Sequence, residues 1–155
     1  MYAATGTTLS VACGRLSYVL ALHGPCAAYA TACSSGLVAL HAAFSALQRT
    51  ECASALAAGA KRILLPAGSL NAAMAGMTSS RGRSHTFDSR ADGYARSEAI
   101  TVFTMCSQTQ AREQEVLGSS VRTDGRSASL TATNGHAQGQ RIRLAMSNKQ
   151  KDRGD

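Results

Sequence analysis

Among the residues able to do chemistry, the run Ala30-Thr31-Ala32-Cys33-Ser34-Ser35-Gly36 stands apart by its setting. A run of small residues, Cys26 to Ala32, leads into it and reads as a strand buried on both faces. A small-residue helix from Ser34 to about Gln48 leads out. That places Cys33 at a strand-to-helix turn, where the first N–H groups of the helix point toward its sulfur and the helix dipole favours the thiolate. Ser34 and Ser35 offer hydroxyls to cap the first turn. Gly36 leaves room for backbone and substrate to approach closely. These are the parts of a nucleophile prepared for acyl transfer. A free cysteine is more often a small core residue, and Cys13, Cys26, Cys52 and Cys106 lack such a helix start and read that way.

The remaining chemistry-bearing residues give no second centre. Five cysteines, an odd number without Cys-x-x-Cys spacing, argue against a disulfide framework or zinc site and for a reducing, intracellular compartment. His23, His41, His85 and His136 form no metal-ligand pattern, so neither a metal nor a directly bound cofactor is expected. His41 falls within the apolar helix and reads as a satisfied core or interface histidine. Asp88, Asp92, Tyr94, Arg96 and Glu98 read as the ion pairs and hydrogen bonds of a structured loop. Asn134 reads as a helix cap, and Gly118 and Gly125 as turn or bulge glycines.

Charge is unevenly spread. Before residue 81 the charged residues are Arg15, Arg49, Glu51, Lys61 and Arg62, and the other twelve Lys and Arg follow from Arg81 onward. A net charge of +7 raises nucleic acid as a partner. The aromatic interleaving of a single-strand surface is missing, and the basic residues are mixed with Asp and Glu, so no nucleic acid is expected. An acidic carrier protein suits such a face. No uninterrupted apolar run reaches the length of a membrane span, and Met1-Tyr2-Ala3-Ala4-Thr5 lacks the features of a signal peptide, so no membrane is expected either.

The elements that must position Cys33 follow from periodicity. Thr5 to Val11 reads as an extended lead-in. Cys13 to Leu22 reads as a helix carrying Leu16, Val19, Leu20 and His23 at helical spacing, stopped by Gly24-Pro25. The helix after Cys33 is apolar on both faces, which predicts burial all round. Ala53–Ala60, Ala99–Met105 and Val116–Val121 read as strands, and Ser69–Met77 as a short helix with Met74 and Met77 filling core gaps. Ser79–Ser97 reads as a structured loop and Thr123-Asp124-Gly125 as a turn. A last helix spans about His136 to Met146, and residues 147–155 read as a disordered tail. Strands alternating with helices give an α/β architecture.

Several of these segments together resemble a known family. Gly14-Arg15-Leu16-Ser17-Tyr18, Gly24-Pro25, Thr31-Ala32-Cys33-Ser34-Ser35 and Leu37-Val38-Ala39-Leu40-His41 are similar, in order, to the ketosynthase (β-ketoacyl synthase) domain of type I polyketide synthases, in the thiolase superfamily. So are Arg81-Gly82-Arg83-Ser84-His85-Thr86-Phe87-Asp88, Ala91-Asp92-Gly93-Tyr94-Ala95-Arg96, Gly118-Ser119-Ser120-Val121, Asp124-Gly125-Arg126-Ser127, Leu130-Thr131-Ala132 and Asn134-Gly135. The stretch Arg81 to Asp88 resembles protist, especially dinoflagellate, members. The resemblance implies part of a layered αβαβα thiolase-like fold, mainly its N-terminal half, with residues 1–146 a partial β-ketoacyl synthase domain.

The resemblance also implies a reaction. The family cysteine matching Cys33 takes an acyl chain from the phosphopantetheine of an acyl carrier protein. A malonyl-type extender then loses CO2, and its carbanion attacks the acyl-enzyme in a Claisen condensation. Two family histidines, in a His-Gly-Thr-Gly-Thr motif and an Asn-x-x-His segment, stabilise the developing charge. Neither motif occurs in this sequence. The family places both beyond the Asn134-Gly135 region, so this chain by itself is expected not to condense. Other departures are Ala30 for the usual Asp, Ser97-Glu98-Ala99 for Gly-Glu-Gly, and a short connector over Cys106–Glu115. The implied partners are an acyl carrier protein, acyl and malonyl thioesters, and a second copy paired across Cys26–Ala32. The implied compartment is cytoplasm or plastid. Two alternatives stay open: a non-catalytic ketosynthase remnant that dimerises or binds carrier protein, and a Cys-dependent acyl hydrolase or acyltransferase. The latter needs a general base beside Cys33.

Overall fold

The computed structural model describes residues 5–6, 8–107, 114–129 and 132–151, the last four as backbone only. They form four helices and a two-stranded sheet: α1 Leu9–Val19, α2 Ser35–Gln48, β1 Ser54–Lys61, α3 Ala67–Met74, β2 Ala99–Cys106 and α4 Gly135–Lys151. A single 3-10 turn, Ala32–Ser34, precedes α2. The chain divides into two compact units, Met1–Ala57 with Phe103–Asp155, and Ala58–Val102.

In the first unit, α1 begins at Leu9 and residues 5–6 are already helical, so the expected extended lead-in is not found. The β-branched Thr5, Thr8 and Val11 favour extended backbone only weakly, and local context overrides that preference here. α1 also ends before Gly24-Pro25. Leu22 N–H reaches back to the Ser17 C=O at 2.9 Å and Ala21 N–H to the Tyr18 C=O at 3.4 Å, around an Ala21 with φ of 50°. This is the paired-bond helix ending normally built on glycine. α2 ends the same way. Glu51 N–H bonds to the Ala46 C=O at 3.0 Å and Thr50 N–H to the Leu47 C=O at 3.1 Å, with Thr50 at φ 57°. Neither stop carries the glycine that would announce it in the sequence.

Residues 26–31 are irregular and exposed rather than a buried strand, and 116–121 are likewise irregular. A strand exists only where a neighbour completes its hydrogen-bond ladder. Among the described residues, β1 and β2 alone supply one another with such a neighbour. Ser107 N–H bonds to the Ala53 C=O at one end of the pair. At the other end the Glu98 carboxylate accepts the Ile63 N–H, so the two strands run antiparallel.

The second unit holds α3, which follows Pro66 and ends at Met74, two residues before Gly76. Pro66 supplies a preset helical φ of −66° at the N-cap position. Gly76, at φ 66°, allows Met77 N–H to reach the Ala72 C=O at 3.0 Å.

Burial is sparse. The buried hydrophobic side chains among the described residues are Ala46, Leu47, Ala57 and Ala72. α2 is half-buried along most of its length rather than enclosed, with Leu37 72% exposed. Met74 is 86% exposed and Met77 50%, so they do not fill core gaps. Both follow from how little of this chain packs onto α2 and α3. An apolar sequence states a tendency to be covered, while coverage needs a facing element. β2 tells the same story: Ile100, Val102 and Phe103, apolar on both faces as in a doubly covered strand, are exposed.

α4 continues through 147–151, so the helix overruns the boundary expected at Met146. Ser147-Asn148-Lys149-Gln150-Lys151 contains neither Gly nor Pro to stop it. Residues 152–155, and 108–113 within the expected connector, lie outside the described residues.

Candidate active site

Cys33 occupies the middle of the 3-10 turn, immediately before α2, and is exposed. The turn holds an unusual backbone. Ala32, the residue before the cysteine, has φ of 52°, a left-handed conformation that costs a residue with a Cβ about 1–2 kcal/mol. Such outliers persist only where the surroundings enforce them.

Two serine hydroxyls bond back onto this turn. The expectation of side-chain caps on α2 is not met: neither the 3-10 turn nor α2 has a side-chain cap hydrogen bond at its start. The hydroxyls turn backward instead. Ser35 Oγ accepts the Thr31 N–H at 2.9 Å and donates to the Ala32 C=O at 2.8 Å. Ser34 Oγ lies 2.8 Å from the Thr31 carbonyl oxygen and 3.0 Å from Thr31 Oγ1. Ser34 N–H also donates to the Thr31 C=O at 3.2 Å. Short hydroxyl side chains can bond to nearby backbone groups of a turn in this way. At Gly36 a Cβ would meet no described protein atom within 4 Å, so nothing within this chain crowds that position.

The other cysteines divide differently from the expectation of a common core role. Cys13 and Cys52 are half-buried, while Cys26 and Cys106 are exposed. Burial pushes the Cys13 thiol up, and the neighbouring Cys26 adds to it. Ser17 Oγ donates to Cys26 Sγ at 3.3 Å.

None of the described hydrogen bonds joins a histidine to Cys33. His41 Nδ1 lies 2.7 Å from Ser119 Oγ, as befits the satisfied, part-buried histidine the sequence suggests. His136 Nε2 pairs with Gln140 Nε2 one turn along α4 at 2.8 Å. His23 is exposed, and the His85 C=O accepts the Asp88 N–H in the loop.

In the second unit, residues 77–97 form the structured loop. Asp92 is its hub, accepting from Ser79 Oγ at 2.6 Å, Ser80 Oγ at 3.0 Å and Arg81 Nε at 3.4 Å. The Ser79 hydroxyl, with help from Ser80 and Arg81, holds the Asp92 carboxyl down to about 2. Asp88 and Arg90 pair at 2.7 Å. Tyr94 N–H bonds to the Met77 C=O and Ser79 N–H to the Tyr94 C=O, both at 3.0 Å. Gly93 makes that crossing possible. Its φ is 133°, and a Cβ there would sit 2.5 Å from the Thr78 carbonyl carbon. Arg96 departs from the reading that these residues all serve loop contacts, since its buried Nε has no hydrogen-bond partner among the described residues. In the first unit, Asn134 caps α4 as expected, its Oδ1 accepting the Ala137 N–H at 3.2 Å.

Sequence reasoning missed Ala32 and Thr31, because nothing in their types announces a left-handed residue. The adjacent hydroxyls of Ser34 and Ser35 were the available signal, read as caps on the following helix.

The family model described as the β-ketoacyl synthase N-terminal domain matches residues 1–111. The chain belongs to the β-ketoacyl synthase family. Erythronolide synthase EryA3 of Saccharopolyspora erythraea is 40% identical over 153 residues, covering 95% of this chain and 5% of that protein. The phenolphthiocerol synthesis polyketide synthase type I Pks15/1 of Mycobacterium bovis is 41% identical over 153 residues, covering 95% of this chain and 7% of its own length. The oxazolomycin ketosynthase domain OzmH KS7 of Streptomyces albus JA3453 superimposes with a TM-score of 0.85 at 28% identity, over 92% of this chain and 27% of that one. The ketosynthase from module 6 of the bacillaene synthase of Bacillus subtilis 168 gives 0.82 at 31% identity, over 89% and 26%. The fold is therefore the α/β fold of thiolase-like ketosynthase domains. The chain spans about a quarter of those solved ketosynthases and a small fraction of the curated synthases. Among the described residues no helix is long and apolar enough to cross a membrane.

Proposed function

We propose that this chain is the nucleophile-bearing part of a polyketide-synthase ketosynthase domain, residues 1–146 belonging to that domain, and that Cys33 is its acyl acceptor. The observation that carries the reading is the position of Cys33: exposed, in a tight turn that leads directly into α2, next to a backbone held in a left-handed conformation. Family membership supplies the chemistry. The Cys33 sulfur attacks the carbonyl of an acyl thioester carried on the phosphopantetheine of an acyl carrier protein. A carbon–sulfur bond forms to Cys33, the pantetheine sulfur leaves, and the thiol proton passes to it. In the complete domain a malonyl-type extender loses CO2, and its carbanion displaces Cys33 from the acyl group. Neither catalytic histidine motif occurs among these 155 residues. We therefore assign acyl capture to this chain's residues and condensation to the complete domain.

The partners are the carrier protein and a second copy of the domain. Residues 26–32 are exposed and without a strand partner among the described residues, which suits pairing across that edge. The compartment is cytoplasm or plastid. The test is acylation by an acetyl-pantetheine thioester, located by peptide mass spectrometry. Cys33→Ala abolishes the label and Cys52→Ala keeps it. Equal labelling in the two variants refutes the assignment.

A further inference from the structure

We propose that Ser35 is a positioning residue that aims Cys33, a role that rests on Cys33 being the acyl acceptor. Ala32 carries a Cβ and yet sits at φ 52°, which an L-residue leaves when free to do so. One hydroxyl spans it. Ser35 Oγ takes the Thr31 N–H on one side and gives its proton to the Ala32 C=O on the other, at 2.9 and 2.8 Å. Between those two anchors lie only the ψ of Thr31 and the φ and ψ of Ala32. The Ala32 carbonyl belongs to the peptide plane that carries the Cys33 N–H, so fixing that oxygen fixes the direction in which Cys33 leaves the turn. Ser34 differs, because its hydroxyl contacts residue 31 alone and does not cross Ala32. Both roles of the Ser35 hydroxyl, one accepted and one donated bond, are used within the turn.

Removing the hydroxyl frees Ala32 to return to negative φ and turns the peptide that holds Cys33. Placing glycine at 32 removes the penalty for positive φ and makes the clamp dispensable. The two substitutions are therefore coupled, and a double-mutant cycle measures that coupling. The readout is the rate at which iodoacetamide alkylates Cys33 in the full chain, located by peptide mass spectrometry, with Cys52 in the same digest as reference. Because this probe needs no acyl chemistry, its result is separable from that of the acylation test.

Ser35→Ala slows Cys33 alkylation about five-fold, the factor equivalent to one hydrogen bond of ~1 kcal/mol. Ala32→Gly with Ser35→Ala restores the rate to within about two-fold of the parent, and Ser35→Thr, which keeps the hydroxyl, retains it. An unchanged rate in Ser35→Ala overturns the proposal. So does a double variant as slow as Ser35→Ala alone. If Cys52 alkylation rises in Ser35→Ala, the fold has opened and Ser35→Thr decides: a parent-like rate supports the clamp, and a slow one overturns it.

Discussion

Gly93→Ala is a severe test of how the loop over 77–97 is held. The native chain crosses itself there: Tyr94 N–H bonds to the Met77 C=O and Ser79 N–H to the Tyr94 C=O, each at 3.0 Å. An added Cβ would lie 2.5 Å from the Thr78 carbonyl carbon, 2.6 Å from Ser79 N and 2.8 Å from the Thr78 carbonyl oxygen. All three are backbone atoms, so no side chain can swing aside. Relief requires separating the two segments, which loses both hydrogen bonds at about 1 kcal/mol each. The positive φ of 133° adds about 1 kcal/mol for a residue with a Cβ. The sum is about 3 kcal/mol, or roughly 150-fold in an opening equilibrium. Amide hydrogen exchange at Ser79 and Tyr94 reads that opening directly. Gly82→Ala is the control. It has φ of 67° and no atom within 4 Å of the new Cβ, so it pays for conformation alone and exchanges about five-fold faster than the parent. Exchange in Gly93→Ala no faster than in Gly82→Ala would refute the argument that close backbone approach requires glycine at 93.

Three further outcomes follow from the same geometry. Asp92 has its carboxyl lowered to about 2 by Ser79, Ser80 and Arg81, against an ordinary 3.8. Its contribution to the loop is therefore complete above pH about 4 and lost as the pH falls through about 2. Ser79 amide exchange, corrected for its intrinsic pH dependence, speeds over that window in the parent and is flat in Asp92→Asn. Asn134→Ala removes the acceptor for Ala137 N–H and the donor to the Asp124 C=O. That costs about 1–2 kcal/mol and raises exchange at Ala137 by about five- to thirty-fold. Unchanged protection would mean that Asn134 does not cap α4. Acyl labelling by the pantetheine thioester is lost in Cys33→Ala and kept in Cys52→Ala, with peptide mass spectrometry as the measure.

The local elements that follow from chain periodicity and side-chain type were largely legible. α2 begins at Ser35 against an expected Ser34 and ends at Gln48, because a run of Leu, Val and Ala between Gly36 and Arg49 offers no competing structure. β1 and β2 fall within a residue of their expected bounds. Asn134 caps α4 because its oxygen is the only side-chain acceptor at that helix start that reaches Ala137 N–H among the described bonds. Asp92 gathers two hydroxyls and a guanidinium, as an acidic residue in a loop rich in Ser and Arg would. Helix ends were less legible. α1 and α2 stop on Ala21 and Thr50 at positive φ, where residue type argues for continuing.

By itself the sequence determined α2, β1 and β2, the family, and the position of Cys33 at the entrance to α2, because these depend on neighbours along the chain. Tertiary structure alone decided what depends on neighbours in space. Residues 26–31 and 116–121 carry strand-like sequences but lack the facing ladder that makes a strand. Met74, Met77 and the apolar residues of β2 have core-like types but little of this chain against them. At Cys33 the decision was finer. Ser34 and Ser35 had two sets of backbone partners within reach, the helix ahead and the turn behind. The turn won: both hydroxyls donate to its carbonyls, and Ser35 Oγ accepts the Thr31 N–H rather than an N–H of α2.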